Sequence, residues 1–187
     1  ALGVSAGGVM KEMHSASAWR FINPPKTWPR GMVVNLAGQR YCDEASYGAV
    51  IGTRIYRENL AQGMLIIDSE LYNNSTEFLS RDARSLISIV VKQQLKTAYQ
   101  ADTLEQLAEL TGIDSGNLLA TVELYNACAR GEQQDPFNKS PSDMSVIAKP
   151  PFYAIDLAAG GSPALSLGGL AVDENSGQVK TLEGIGI

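Results

Sequence analysis

Histidine, cysteine and clustered positive charge are scarce in this sequence, and each scarcity closes off a class of chemistry. His14 is the only imidazole, so neither a histidine-rich metal centre nor a serine-type triad can be assembled. On its own it reads as a structural hydrogen-bonding group. Cys42 and Cys128 are the only cysteines; far apart and each in an apolar setting, they read as buried free thiols. The net charge is -5 and the basic residues are scattered. That argues against nucleic acid or an anionic membrane as partner, since both need clustered Lys and Arg. No apolar run is long enough to span a bilayer, and no basic n-region precedes an apolar stretch at the start. A soluble, cytoplasmic protein is expected. Neither Gly-x-Gly-x-x-Gly nor Gly-Lys-Ser/Thr occurs, so no familiar phosphate loop can be read.

What is there is globular material. The chain has 187 residues, 44% apolar and 19% charged, with 18 glycines, enough for one good core and a lobe beside it. Residues 1–18 are rich in small side chains, with Met10, Met13 and Ser17 near helical spacing, and predict a closely packed helix. Pro24, Pro25 and Pro29 then forbid regular structure and mark a crossing between two bodies. Met32–Val34 and residues 40–42 predict a hairpin about a turn at Ala37 and Gly38. Residues 47–61 carry Val50, Ile51, Ile55 and Leu60 in a helical pattern, and 64–68 predict a short buried strand with Asp68 or Ser69 capping a helix behind it.

Residues 79–95 are helical in outline, although Ile87, Ile89, Val90 and Val91 are β-branched and weaken the pattern. Thr103 with Gln106 makes a capping-box pattern ahead of Leu104, Leu107 and Leu110, and Gly112 stops that helix. Asp114 or Ser115 opens the next, with Leu118, Val122, Tyr125 and Cys128 on one face until Gly131. A polar, proline-bearing loop leads to a strand at 152–157. Near the end, Leu170, Ala171 and Val172 predict a strand, a turn comes next at 174–177, and 178–180 return.

The residues taken alone carry little chemistry. Asp43 and Glu44 read as a solvated or cap-forming pair. Tyr47 reads as packing, although its phenol can move a proton. Ser166, Leu167, Gly168 and Gly169 read as a plain turn before a strand, or as backbone built for close approach to another group.

Three stretches in register go further. The run GMVVNLAGQRYCDEASYG resembles the segment Gly-Ile-Leu-Val-Asn-x-x-Gly-x-Arg-Phe-x-Asn-Glu of flavoproteins in the fumarate reductase and 3-ketosteroid dehydrogenase superfamily. PPFYAIDL followed by LSLGGLAVDENSGQV is similar to the later segment of that family, where a Thr-x-Gly-Gly-Leu turn lies beside the flavin ring. Between them, residues 103–139 are similar to the family's helical pair and acidic loop. The resemblance implies an α+β fold: a small mixed or antiparallel sheet with packed helices, the capping domain at 31–150. Residues 1–30 and 151–187 would then be flanks of an incomplete FAD domain. The apolar close at Ile185 and Ile187 looks cut, because family members continue there into the second half of the FAD site.

The same resemblance implies FAD as cofactor of the full-length protein, with weak or no binding by this chain alone, and the rest of its own FAD domain as partner. Ser166, Leu167, Gly168 and Gly169 would lie against the isoalloxazine. Where the fumarate reductase branch has a proton-donating Arg, this chain has Ser46, Tyr47 and Gly48, and where it has a His, Leu165 stands. A dicarboxylate needs cationic partners, so the resemblance is to the ketosteroid dehydrogenase branch. It implies a small apolar ketone, such as a steroid, as substrate and Tyr47 as the catalytic proton-transfer group. A fumarate-reductase-like flavoprotein acting on another unsaturated acid, and a non-catalytic binding module, are the competing readings.

Overall fold

The computed structural model describes residues 2–20, 22, 25–81, 86–158, 162–182 and 184. In chain order the elements are α1 (Leu2–Ser5), β1 (Met10–Lys11), β2 (Ala16–Trp19), β3 (Met32–Val34), α2 (Gly48–Thr53), β4 (Met64–Ile67), α3 (Ser69–Arg81), α4 (Leu86–Lys96), β5 (Tyr99–Ala101), α5 (Leu104–Thr111), α6 (Ser115–Ala129), β6 (Phe152–Asp156), β7 (Ser162–Ser166) and β8 (Gly169–Leu170). Short 3-10 turns lie at Trp28–Arg30 and Pro141–Asp143, and a π turn at Arg54–Glu58 continues α2. This is an α+β chain with antiparallel pairing, as the sequence predicts. It divides into two compact units, residues 19–161 and residues 1–18 with 162–187. The middle unit is wider than the 31–150 expected from sequence, because Ile22, Trp28, Ile155 and Leu157 are buried in its core.

The middle unit is built on a four-stranded antiparallel sheet of order β3-β4-β6-β5. Its strands are apolar at consecutive positions because both faces are covered. Val33, Leu65, Ile67, Tyr153 and Ile155 meet Ile51, Ile55, Leu71, Val91 and Leu95 from α2 to α4. The alternate residues Met32, Val34, Ile66, Phe152 and Ala154 meet Leu107, Leu118, Val122, Tyr125 and Cys128 from α5 and α6. Period-2 alternation thus sorts neighbours onto opposite layers. The α5–α6 pair forms where its local signals stand. Thr103 Oγ1 accepts from Gln106 N–H at 3.2 Å, Asp114 Oδ1 accepts from Asn117 N–H at 2.8 Å, and Gly112 ends α5 at φ 73°. Just past β4, Asp68 caps α3, its Oδ1 accepting from Glu70 and Leu71 N–H at 3.1 Å each.

The smaller unit pairs β1 with β8, Met10 opposite Leu170 and Lys11 opposite Gly169. It also pairs β2 with β7 and bridges Gly8 to Thr181 and Val172 to Val179. The expected hairpin after Leu170 is present: Asp173 N–H donates to Gln178 C=O at 2.8 Å. The expected helix over 1–18 is not. Only α1 forms, Gly7 at φ 92° turns the chain out of it, and the rest pairs with strands more than a hundred residues away. Long-range backbone partners outweigh a weak local helix preference.

Two further expectations change. The helix over 47–61 breaks into α2 and a π turn, with Leu60 and Ala61 at φ 52° and 60°. The helix over 79–95 resolves into the end of α3 and α4, with 82–85 outside the described residues. Pro24 of the expected crossing, and Ile185 and Ile187 of the apolar close, also lie outside them. Cys42 and Cys128 are buried free thiols. Among the described residues no helix is long and apolar enough to cross a membrane.

Gly38 locks the β3 hairpin onto α6. It sits at φ 72°, and a Cβ there would come within 2.7 Å of Leu118 N and 2.8 Å of Asp114 C=O. Gly38→Ala combines left-handed strain with a backbone clash and is expected to cost about 2–4 kcal/mol. Gly112→Ala, at φ 73° in open space, is expected to cost about 1–2 kcal/mol. Denaturant unfolding of the two variants checks the ranking; equal losses would contradict it.

Candidate functional site

The turn after β3 is fixed by its own backbone and by Asn35. Asn35 N–H donates to Gln39 C=O and Gly38 N–H to Asn35 C=O, both at 3.0 Å. Asn35 Oδ1 accepts from Gln39 N–H at 3.0 Å, and Nδ2 donates to Asn59 at 3.2 Å. This geometry turns Arg40 inward to meet Glu44, four residues later in the chain.

Glu44 is 1% exposed. Its carboxylate accepts from Val33 N–H, Arg40 Nε, Arg40 Nη2 and Lys139 Nζ, each at 2.8 Å. Arg40 also pairs with Asp135, whose Oδ2 accepts from Phe137 and Lys139 N–H at 3.0 Å each. The Lys139 ammonium is shared among Glu44, Tyr125 Oη at 3.1 Å and the C=O groups of Pro29 and Gly31 at 2.5 and 3.0 Å. Tyr125 Oη in turn donates to Arg30 C=O at 2.7 Å. The guanidinium lies over the Tyr125 and Phe137 rings, 5.0 and 5.1 Å from their centroids. Two cations and two carboxylates cancel, and their remaining donors are met by main-chain carbonyls.

The reading of Asp43 and Glu44 as a solvated or capping pair is therefore corrected for Glu44: Val33 N–H and two buried cations draw it inside. Asp43 alone fits it, accepting from Ala45 N–H at 2.8 Å. Burial opposes the Arg40 cation, but hydrogen bonds and attraction from Glu44 and Asp135 raise its pKa above the ordinary arginine value. Burial foremost pulls Lys139 below the usual lysine range, with Glu44 acting against that shift. Burial and then the Glu44 charge push the Cys42 thiol up, so it is no ready nucleophile.

Directly after this anchor the chain exposes Tyr47. Ser46 N–H donates to Asp43 C=O at 3.1 Å, and Arg20 N–H to Gly48 C=O at 2.9 Å. Tyr47 is the residue ahead of α2; its C=O accepts from Val50 and Ile51 N–H at 2.8 and 3.2 Å. The side chain is 60% exposed, and among the described residues no hydrogen bond reaches its hydroxyl. Its ring meets Trp19 edge-to-face, centroids 5.1 Å apart at 71°.

Tyr47 borders a cavity of about 540 Å³, a volume suited to a small organic ligand. Ile22, Pro29 and Ile51 give it apolar wall, and Lys26, Arg30, Glu44 and Asp143 are its charged lining. The lining is thus not wholly apolar. Arg30 spends its donors on Ser145 Oγ at 2.9 Å and the C=O groups of Ser142 and Met144 at 2.8 Å each. Lys26 is exposed and makes no ion pair among the described residues.

The second predicted group sits in the smaller unit. Ser166, Leu167 and Gly169 are exposed, and Leu167 N–H donates to Ser15 C=O at 2.9 Å. A Cβ on Gly169 would meet nothing within 4 Å, which leaves backbone open to a flat ring. Gly168 is needed by its own chain instead, since a Cβ there would lie 2.6 Å from Glu12 C=O and Met13 Cα. Of the two glycines only Gly169 leaves backbone open, and no phosphate cradle is among the four residues. His14 is exposed, its Nε2 3.9 Å from Glu12 Oε2. Among the described residues no cluster of three His, Cys, Asp or Glu is placed to hold a metal.

Sequence reasoning did not single out Trp19, Asp135 or Lys139. Trp19 sits just past a stretch that reads as helix, and Asp135 and Lys139 sit in a loop whose polarity suggests solvent. The one available signal was the Arg40–Glu44 spacing.

No family model matches the chain. The 3-oxo-5-alpha-steroid 4-dehydrogenase of Comamonas testosteroni is 35% identical over 191 residues, which is 95% of this chain and 35% of that protein. The NADH:acrylate oxidoreductase of Vibrio harveyi is 32% identical over 156 residues, 81% of this chain and 14% of that protein. Among solved structures, the 3-ketosteroid-delta4-(5alpha)-dehydrogenase of Rhodococcus jostii RHA1, in complex with 4-androstene-3,17-dione, matches with a TM-score of 0.76 at 27% identity. That match covers 100% of this chain and 36% of the other. The chain spans about a third or less of the length of these relatives.

Breaking the buried cluster should cost far more than breaking a surface pair. Glu44→Ala leaves two buried cations facing one carboxylate and is expected to lose about 3–5 kcal/mol. Arg130→Ala, which removes the exposed pair with Glu132, should leave the unfolding midpoint unmoved. Chemical denaturation of both variants checks this; similar small shifts would contradict it.

Proposed function

Because this chain belongs to the family of FAD-dependent fumarate reductases and 3-ketosteroid dehydrogenases, we propose that it forms the substrate-capping part of a 3-oxosteroid-type dehydrogenase. Such an enzyme introduces a carbon–carbon double bond next to a ketone. In this reading the unit 19–161, wider than the 31–150 expected from sequence, is the capping domain, and the flanks 1–18 and 162–187 belong with an FAD domain supplied by the rest of the protein. The observation that carries it is Tyr47: an exposed phenol bordering an apolar-walled cavity, held up by a buried ion cluster, in a chain 35% identical to a steroid 4-dehydrogenase.

Each of the chain's own groups then has a role. Tyr47 Oη takes the proton that leaves the carbon beside the activated position while its own hydroxyl proton passes to solvent on its exposed side. Ile22, Pro29 and Ile51 exclude water and pack the alicyclic body of the ketone. The backbone at Ser166, Leu167, Gly168 and Gly169 would hold one edge of the flavin. Bound FAD would supply the hydride acceptor, so that loss of one proton and one hydride from the substrate balances as the double bond forms.

Lys26 favours a second reading. An exposed cation beside the cavity suits a substrate carboxylate, and a relative named for acrylate points the same way.

In the full-length protein carrying this segment, Tyr47→Phe is expected to slow flavin reduction by a 3-oxosteroid about a hundredfold. KM should stay within roughly threefold because the apolar walls remain, and stability should change by no more than about 1 kcal/mol. Stopped-flow flavin reduction and steady-state kinetics measure this; an unchanged reduction rate would overturn the reading. Turnover of an unsaturated acid but not of the steroid, lost in Lys26→Gln, would establish the second reading in its place.

A further inference from the structure

A flexible phenol that must pass on its own proton as it takes another needs its ring fixed, and the surroundings of Tyr47 offer few ways to fix it. Its hydroxyl has no hydrogen-bond partner among the described residues, it is 60% exposed, and its side chain caps nothing on α2. Left to itself, such a side chain would sample its staggered rotamers freely. Among the described residues its ring contact is with Trp19, edge-to-face at 5.1 Å and 71°. That arrangement is the favoured one for aromatic pairs, because the electropositive edge of one ring meets the electron-rich face of the other.

The same pair is tied through the main chain. The residue after Trp19 donates its N–H to the C=O of the residue after Tyr47, Arg20 to Gly48 at 2.9 Å. The two backbones therefore run together at the point where the two rings touch. Trp19 is half-buried. On the other flank, Glu44 anchors the chain three residues before Tyr47 from inside the core.

We propose that Trp19 is the positioning residue for Tyr47: its indole selects the ring orientation in which the phenol points over the cavity. This rests on the reading of Tyr47 as the proton-transfer group. Trp19 touches neither the reacting carbon nor the flavin in this role; it acts through Tyr47 alone. The ring orientation sets the distance of Oη from the reacting carbon, and misplacement by about 1 Å can cost on the order of a hundredfold in rate.

The test is a cycle in the full-length protein. Trp19→Leu keeps apolar bulk and removes the aromatic partner, whereas Trp19→Phe keeps a ring at the contact. Trp19→Leu is expected to lower the flavin-reduction rate roughly tenfold or more with KM little changed, and Trp19→Phe to restore most of it. In a Tyr47→Phe background, Trp19→Leu is expected to add nothing, because there is no hydroxyl left to position. A readout independent of turnover comes from 3-fluorotyrosine incorporation. The fluorine resonance assigned to Tyr47 should shift in Trp19→Leu, where the indole ring current is lost, and move back toward its original position in Trp19→Phe. Thermal unfolding of each variant separates a loss of fold from a loss of positioning. Trp19→Leu slowing the reaction equally in both backgrounds, or leaving both rate and resonance unchanged, would overturn the proposal while leaving the role of Tyr47 intact. An unchanged rate in Tyr47→Phe itself would overturn both.

Discussion

Arg40 and Lys139 share one carboxylate, Glu44, where Glu44 and Lys139 are fully buried and Arg40 nearly so, and Asp135 supplies the second negative charge. Such a group of charges is stable only when complete, because each member would be far more costly alone than paired. Completeness is what makes it an organising constraint. It joins the hairpin after β3, the loop from 135 to 139, the C=O groups of Pro29 and Gly31, and Tyr125 of α6. Segments distant in sequence must all be in place before the charges are satisfied. The chain beyond Glu44 therefore leaves the core from a fixed point in a fixed direction.

Tyr47 stands at the end of that short exit, three residues from the anchor. Immediately after it α2 begins, with Ile51 and the later Ile55 buried against the sheet. The phenol is thus suspended between a polar anchor on one side and an apolar one on the other. Among the described residues no hydrogen bond engages its hydroxyl. The motif that resembles Gly-x-Arg-Phe-x-Asn-Glu is on this view a support: Gly38 packs on α6, Arg40 and Glu44 close the ion cluster, and the residue proposed to carry the chemistry follows just beyond the last residue of the pattern.

That division explains what could be read from the sequence. The α5–α6 pair was legible because its signals are local: Thr103 and Asp114 accept from the N–H groups three residues on, and Gly112 has the positive φ its position requires. The strands β3, β4 and β6 were legible as apolar runs of the right length. The segment 1–18 was misread because its partners, β7 and β8, lie at the far end of the chain, and no window of neighbouring residues contains them. β5 is a three-residue edge strand, too short to show alternation. Among the site residues, Glu44 was read as a solvated acid because nothing beside it in sequence reveals Lys139, 95 residues away. Tyr47 carries no chemical mark that separates it from a packing tyrosine, and only the resemblance lifted it out. Gly168 and Gly169, identical in type, turn out to differ. The first is squeezed against Glu12 and Met13 of its own chain and the second faces open space, a distinction that backbone placement alone can make.

The central claim is that Tyr47 is held where it can take a proton from a carbon beside a ketone. A crystal structure of the full-length protein with FAD and a bound 3-oxosteroid tests this most directly. The account predicts Tyr47 Oη about 3–3.5 Å from the carbon that loses its proton, with the Arg40–Glu44–Lys139 cluster unchanged beneath it. A steroid seated over the flavin with Tyr47 turned away, and another side chain at that distance from the reacting carbon, would contradict it.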